Sequence, residues 1–387
     1  MIKITHQELS RINKDYTDKI LEQFEEKKTN IFKIISLMQS KDPVTAVDVK
    51  GNVKALLKAL KVVLNSKELK TPTLQTKETD FLVHHINENR IFDAETIKTK
   101  TTRLLDVSNQ VNAIFNSGYL RPLISKAAVG LKDLNQYFTK YCVLDTLIYL
   151  YFFDYEDYYG ILNSHIANKL GIKCCPYCNR NYITSVQNIK GKRIIGPTYD
   201  HYFHKKIYKF LTLSFYNLIP SCYICNSNLK GQIDFGLDTH LHPYYDEFGA
   251  DATFDFNLDL VNSGNTPEKI FEPKIKINTT SPAIILKLKG LDKDAKNKKT
   301  GSLKVFQLEE IYKSHFDTVE EIHTKFDRNS PYYINSIKDN LDALGVPEGE
   351  FYRFHFHNYY NIEDFHKKPL SKLMRDIYDK MKQLQSK

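Results

Sequence analysis

The sequence predicts an α+β protein in which three regions differ in composition. Residues 1–165 carry helical apolar patterns, residues 170–250 are rich in Gly, Pro, Cys, Asn and Tyr, and residues 251–387 mix strand-like and helical patterns. The length of 387 residues suits two or three domains, and 42% hydrophobic residues are ordinary for a globular protein. We predict a mainly helical N-terminal region, a central cysteine-rich module and a mixed α/β C-terminal extension.

The N-terminal region is predicted to be helical in three segments. Residues 7–39, 53–64 and 131–153 place apolar side chains at helical spacing. The polar residues 65–80 are predicted to form a loop. The region has no catalytic motif, so we expect it to dock a partner or to brace the rest of the chain.

The C-terminal extension combines both kinds of pattern. His355 and His357 alternate in a segment predicted as strand or loop. The chain ends in a basic helix at residues 366–382, which could contact phosphates or a partner, although a solvated helix face explains it as simply. The other predicted elements are strands at residues 253–260 and 275–277 and helices at residues 305–326 and 370–384.

Hydropathy argues against a membrane or secreted protein. The longest purely apolar run, residues 147–153, is far shorter than the roughly 20 residues that span a bilayer. The first residues, MIKITHQELSR, contain no apolar core of a secretion signal. We therefore expect a cytoplasmic protein with no membrane partner.

Cysteine spacing predicts a metal site. Two CxxC pairs are separated by 43 residues, and two such pairs form the tetrahedral thiolate site that Zn²⁺ prefers. A redox motif would need one pair in a βαβ context, which is not present. We predict that structural zinc is bound by Cys175, Cys178, Cys222 and Cys225, with Cys142 and Cys174 outside the site.

Positive charge is concentrated around these cysteines. Residues 171–230 contain nine Lys and Arg against one acid, Asp200, which gives +8 of the total net charge of +9. A solvated lysine-rich surface would explain the composition alone. The position of the charge around the cysteines instead favours a polyanionic partner such as nucleic acid.

The segment between the cysteine pairs carries the candidate chemistry, because a four-cysteine site is closed to substrate. Asp200 and His201 are followed after 15 residues by Asn217 and after eight more by Asn226. Phosphodiester hydrolysis needs an activated water and a cation that neutralises charge on the phosphate. A neutral imidazole can take the proton, and carboxylate and amide oxygens suit Mg²⁺ or Mn²⁺.

The order CPYC…DH…YNLIPSC…CN…KG resembles the HNH (ββα-metal) endonucleases that carry zinc knuckles, and among them the Septu-type anti-phage nucleases called PtuB. The resemblance covers residues 171–245, and NLIPSCYICNSNLKG at residues 217–231 is its most specific part. It implies a zinc-stabilised ββα-metal module that cuts DNA or RNA. It also implies a separate ABC/SMC-like ATPase partner. This chain has no phosphate-binding loop of the GxxxxGK(S/T) type, so any ATP dependence must come from another protein.

The resemblance implies a role for each polar residue of the segment. His201 would be the general base, Asp200 and Asn226 would bind the catalytic Mg²⁺ or Mn²⁺, and Asn217 would brace the loop. His242 could reach that metal, although a packed histidine at a strand end is an equally good interpretation. The predicted contacts to the nucleic-acid backbone are Lys205, Lys206, Lys209 and Lys230.

Two positions depart from the family pattern. Asn226 replaces the last His of the family name but still offers an oxygen ligand. His204 stands where relatives often carry Pro, and we interpret it as a loop residue.

Two other functions stay open: a non-catalytic zinc module that binds nucleic acid, and an interaction scaffold built on the helices.

Overall fold

The computed structural model describes a mixed α/β protein in which helices predominate and the sheets are small. The predicted helix at residues 53–64, the predicted loop at residues 65–80 and Cys142 lie outside the described residues. The structure describes residues 1–40, 108–109, 111–141, 149, 151–189, 193–263, 266–290, 300–328 and 345–385.

The strands lie between residues 186 and 277, and helices predominate before and after them. The helices are α1 Leu9–Ser40, α2 Leu120–Ser125, α3 Leu131–Tyr141, α4 Tyr159–Leu162, α5 Asn168–Leu170, the π-helix Ile224–Lys230, α6 Pro282–Lys289, α7 Ser302–Val305, α8 Leu308–Lys313, α9 Phe316–Arg328, α10 Glu348–Phe356 and α11 Ser371–Gln385. The strands are β1 Val186–Gln187, β2 Arg193–Ile195, β3 Thr198–His201, β4 Leu218–Ser221, β5 Ala252–Ser263 and β6 Thr266–Ile277.

The chain divides into two compact units. Unit 1 comprises Met1–Leu9, Ile166–His204 and Ile219–Lys387. Unit 2 comprises Ser10–His165 and Lys205–Leu218. The short central segment 205–218 therefore belongs with the N-terminal helices, while the residues on either side of it belong with the C-terminal elements.

Unit 2 is organised around the apolar face of α1. Tyr16, Ile20 and Phe24 recur every four residues on that helix, and all are fully buried, as helical periodicity requires. The ring of Phe24 lies 5.2 Å from that of Phe153. The hydroxyl of Tyr16 donates a hydrogen bond of 2.8 Å to the carbonyl of Leu213, which anchors segment 205–218 within this unit.

A long hairpin dominates the C-terminal part of unit 1. β5 and β6 pair antiparallel over twelve residues each, and α8, α9 and α11 pack on the hairpin. Ala252, Phe254 and Phe256 share one face, as alternate strand residues do, and all three are buried. The backbone N–H of Phe254 donates to the buried carboxylate of Asp376 on α11, at 2.9 Å.

Three predictions for the C-terminal extension differ from the structure. The strand expected at residues 275–277 is the end of the longer β6, since pairing with β5 continues the extended backbone. The helix expected at residues 305–326 is broken into parts of α7, α8 and α9. The strand or loop expected around His355 is wrong, because that residue lies in α10, where its ring stacks on Phe351 four residues earlier.

None of the described helices has both the length and the apolar character needed to cross a membrane.

Candidate functional site

The four cysteines of the two CxxC pairs meet inside unit 1. Their sulfur atoms all lie within 4.8 Å of one another, and every one of the four residues is buried. The Sγ atoms of Cys178 and Cys222, which belong to different pairs, are 4.0 Å apart. This donor set fits a tetrahedral thiolate site for Zn²⁺, as the sequence predicts.

The first knuckle, residues 175–180, is a tight turn closed by backbone hydrogen bonds. The N–H of Asn179 donates to the carbonyl of Cys175 at 2.7 Å, and the N–H of Arg180 points at the sulfur of Cys178 at 3.5 Å. Asn179 has φ of +49°, a left-handed conformation that Asn tolerates better than most residues. The turn thereby directs both sulfurs to the same side.

The side chain of Asn179 ties this turn to the C-terminal segment. Its amide donates to the carbonyl of Phe365 at 2.9 Å, and its carbonyl oxygen accepts from the N–H of Lys372 at 3.1 Å. Residue 179 is 1% exposed, so these bonds satisfy polar atoms that have no access to solvent. The first knuckle is therefore held by residues that follow it in the sequence by almost 200 positions.

The second knuckle, residues 222–226, receives hydrogen bonds on sulfur. The backbone N–H of Cys225 and the side-chain amide of Asn181 approach the sulfur of Cys222 at 3.5 and 3.4 Å. Hydrogen bonds from the thiol of Cys175, and to a smaller extent from those of Cys178 and Cys225, hold the pKa of Cys222 well below its usual range. Burial raises the pKa of Cys175 well above its usual range, so the thiolate form of Cys175 would need a bound cation beside it.

The Asp-His pair ends strand β3, in the same unit as this cluster. Asp200 and His201 are 2% and 8% exposed. The Oδ2 atom of Asp200 accepts a hydrogen bond of 2.6 Å from the hydroxyl of Tyr177, which lies inside the first CxxC pair. This role of Tyr177 was not predicted from the sequence, although its position between two cysteines of the cluster was a signal.

Lys230 is the second partner of Asp200. Its Nζ lies 2.8 Å from Oδ1 of Asp200, and the lysine is 1% exposed. The same Nζ donates to the backbone carbonyl of His201 at 2.7 Å and sits 4.8 Å from the ring centroid of Phe235. The structure therefore corrects the interpretation of Lys230 as a backbone-binding surface residue, because its ammonium is buried in an ion pair.

Asn226 lies on the π-helix that leads to Lys230. Its side chain is half-buried, and the N–H of Gly231 donates to its backbone carbonyl at 2.9 Å, which is the five-residue spacing of a π-helix. Gly231 ends the helix with φ of +51°, a conformation that favours glycine. Strand β3, strand β4 and this helix thus follow one another in the order strand, strand, helix.

Strands β3 and β4 pair with each other in a two-stranded sheet. The hydroxyl of Thr198 donates to the carbonyl of Ser221 at 3.0 Å, and the hydroxyl of Ser221 returns a weaker bond of 3.4 Å to the carbonyl of Thr198. The pairing brings the start of β3 to the end of β4, immediately before Cys222. The sheet therefore links the Asp-His strand to the second knuckle.

His242 is buried inside unit 1. Its ring lies 4.2 Å from that of Tyr202, the residue after His201. Its Nδ1 accepts a hydrogen bond of 3.3 Å from the N–H of Tyr244, and its own N–H donates to the carboxylate of Asp246. The described contacts of His242 are those of a packed histidine.

The remaining predicted site residues belong to unit 2. Asn217 is fully buried and donates from its side chain to the carbonyl of Leu211 at 2.9 Å, a bond within segment 205–218. Lys205 and Lys206 are exposed, and Lys209 is half-buried. The structure thus places five of the predicted residues in one unit together with the cysteine cluster (Asp200, His201, Asn226, Lys230 and His242).

The described geometry of Asp200 does not suit a divalent cation. Both carboxylate oxygens are engaged, one by Tyr177 and the other by the positive charge of Lys230. An ammonium at hydrogen-bond distance from a ligand oxygen repels a second cation there. Asp200 therefore becomes a metal ligand only if Lys230 leaves it.

Comparison of the sequence with family models and with curated proteins gave no match, and comparison of the structure with solved structures also gave none.

Proposed function

We propose that unit 1 carries an HNH-type endonuclease that hydrolyses phosphodiester bonds in DNA or RNA. One observation supports this best. Asp200 and His201 end strand β3, and this strand is followed by strand β4 and then by a π-helix that begins within the buried four-cysteine cluster. A zinc-stiffened frame of this kind would hold an imidazole and an oxygen ligand at fixed positions.

The residues around His201 support a role for its imidazole in proton transfer. His201 is the candidate general base that takes a proton from the attacking water. Its backbone carbonyl is fixed by Lys230, and its neighbour Tyr202 is held by two hydrogen bonds of 2.9 Å from its hydroxyl to backbone carbonyls. The proposed cofactor is Mg²⁺ or Mn²⁺, whose charge would neutralise the phosphate. Asn226 and Asp200 are its candidate oxygen ligands.

The test compares His201→Ala with His204→Ala, a half-buried histidine three residues further along the chain. We expect His201→Ala to retain its zinc and its circular-dichroism spectrum while losing at least about 100-fold in cleavage rate, the usual contribution of a general base. His204→Ala should cleave within about threefold of the parent. Equal cleavage by His201→Ala and the parent would overturn the assignment.

A non-catalytic zinc module that binds nucleic acid is the second candidate. The neutralisation of Asp200 by Lys230 favours it, because that pair leaves no carboxylate oxygen without a partner. It predicts salt-sensitive binding without any product at high protein concentration in Mg²⁺ or Mn²⁺. Product formation that disappears in His201→Ala would reject it.

The proposed biological role is that of a nuclease effector in bacterial anti-phage defence, working with a separate ABC/SMC-like ATPase. It rests on the motif resemblance and on the missing phosphate-binding loop in this chain. Co-purification of the chain with an ATPase encoded beside it tests the partner. A complex that survives in high salt would support the proposal, and the lack of any such complex would contradict it.

A further inference from the structure

We propose that Lys230 is an internal counter-ion that competes with a divalent cation for the carboxylate of Asp200, and that Lys230 thereby sets the cation concentration at which the site fills. This inference deepens the proposed nuclease function and rests on it. It assigns Lys230 a positioning role that differs from contact with a phosphate backbone.

The surroundings of Lys230 are built to hold a cation. Its ammonium donates to Oδ1 of Asp200 at 2.8 Å and to the carbonyl of His201 at 2.7 Å. The ring of Phe235 covers it at 4.8 Å, a distance at which an aromatic face attracts a cation. A carboxylate oxygen, a carbonyl oxygen and an aromatic face thus converge on one point beside the candidate general base.

The side chain of Lys230 reaches this point from a rigid support. It is the last residue of the π-helix, and Gly231 turns the chain away immediately after it. The helix starts between Cys222 and Cys225, so the zinc cluster fixes its first turn. The ammonium is therefore held near Asp200 by a short and braced segment, and a cation that binds Asp200 must displace it.

Displacement of Lys230 also affects His201. When the ammonium leaves, the carbonyl of His201 loses a charged donor while it remains in a buried position. A buried polar group without its partner is costly. Occupation of Asp200 by a divalent cation is therefore coupled to the backbone on which the candidate base is mounted.

Direct contact makes Lys230 a competitor for Asp200. Asp200 is the only acid in the sequence from residue 158 to residue 233, and the ammonium of Lys230 lies 2.8 Å from its Oδ1 atom. Removing the lysine charge should raise the affinity of Asp200 for a cation, whereas removing an exposed lysine charge elsewhere should change it little.

The experiment measures binding of Mn²⁺ to the full-length, zinc-loaded chain by the loss of the free-ion electron paramagnetic resonance signal. The variants are Lys230→Met, Asp200→Asn and Lys173→Met, the last a control that removes one exposed positive charge from the same unit. We expect Lys230→Met to bind Mn²⁺ at least tenfold more tightly than the parent, Lys173→Met to change binding less than threefold, and Asp200→Asn to abolish it.

Equal or weaker Mn²⁺ binding by a folded Lys230→Met variant would overturn the proposal. If that variant does not fold, nuclear magnetic resonance of the Lys230 ammonium in the parent decides the question. Titration with Mg²⁺ should shift that signal in the parent but not in Asp200→Asn, and an unchanged signal at saturating Mg²⁺ would refute the idea. These readouts do not use cleavage, so a failed nuclease assay and a failed competition test remain distinguishable.

Discussion

Asp200 and Lys230 form a buried ion pair in which Oδ1 and Nζ are 2.8 Å apart and the two side chains are 3% and 1% exposed. Burying two charges is costly, and their attraction compensates only when further hydrogen bonds satisfy the remaining polar atoms. Tyr177 supplies one such bond to the carboxylate, and the carbonyl of His201 accepts one from the ammonium. The pair therefore combines a structural role with its place in the candidate site.

Breaking this pair from either side should destabilise unit 1. We expect Asp200→Asn and Lys230→Met each to lower the free energy of unfolding by about 3–5 kcal/mol, because each leaves an uncompensated buried charge or donor. The double variant should lose less than the sum of the two, since neither charge then remains alone. Denaturant unfolding of the four proteins measures the coupling, and strictly additive losses would show that the two residues act independently.

Removal of one ligating sulfur should empty the zinc site. Cys222→Ser should lose the zinc found in the parent, which we expect at about one ion per chain. It should also unfold at lower denaturant concentration, because zinc binding contributes about 10–16 kcal/mol in small zinc domains. Elemental analysis and unfolding curves provide the measurement.

Cys174→Ala is the matched control for the zinc prediction. Cys174 is buried next to Cys175 but does not belong to the four-sulfur cluster, and burial raises the pKa of its thiol to about 12. The position of its sulfur outside that group is what sets Cys174 apart, since burial also raises the pKa of Cys175. The variant should keep its zinc, and loss of the ion from Cys174→Ala would show that Cys174 takes part in binding.

The exposed lysines of unit 2 should contribute to binding of nucleic acid through charge alone. We expect Lys205→Ala with Lys206→Ala to weaken binding for every sequence tested. The slope of log affinity against log salt should fall by about 0.7–0.9 for each phosphate that the variant no longer neutralises. Fluorescence anisotropy at several salt concentrations measures the slope, and an unchanged slope would exclude these two lysines from the interface.

Stability should depend on pH through His240. Burial lowers the pKa of His240 to about 4 in the folded protein, whereas an unfolded histidine has a pKa near 6.5. The unfolded chain therefore binds the proton first, so this contribution to stability is complete above pH of about 6.5 and is lost as the pH falls toward 4. The difference corresponds to about 3 kcal/mol.

His240→Phe isolates this contribution from the other titrating groups. The ring of His240 stacks on Phe235 with centroids 3.9 Å apart, and a phenylalanine keeps an aromatic ring there without a titratable nitrogen. Between pH 7 and pH 4.5, the unfolding free energy should fall less in the variant than in the parent. Equal falls in both proteins would show that His240 does not titrate as its burial indicates.

The sequence predicted best those features that depend on short spacings. The four-cysteine cluster is confirmed as a set of sulfurs able to hold one ion, because two residues between thiols fix a turn that brings both to one side. The alternation of apolar and polar side chains in residues 253–260 correctly predicted part of β5, because one face of that strand lies against helices. The predicted catalytic metal, nuclease activity and partners stay proposals.

Other features could not be predicted because they depend on the partner that each side chain meets. The helix expected at residues 305–326 is divided at Gln307, whose φ of +48° interrupts α-helical geometry between α7 and α8. His355 was expected in a strand or loop because it alternates with His357, yet it packs on Phe351 in a helix. Tertiary packing overrides weak local preferences of this kind.

By itself, the sequence determined the four cysteines that could hold a zinc ion, the position of the Asp-His pair between them and the excess of positive charge around both. Only the tertiary structure decided that Lys230 is an interior counter-ion and not part of that positive surface. The physical reason is that the charge of a lysine is fixed by its chemistry, whereas its burial depends on distant residues. Asp200, thirty positions earlier, and Phe235 supply the oxygen and the ring that make a buried ammonium stable.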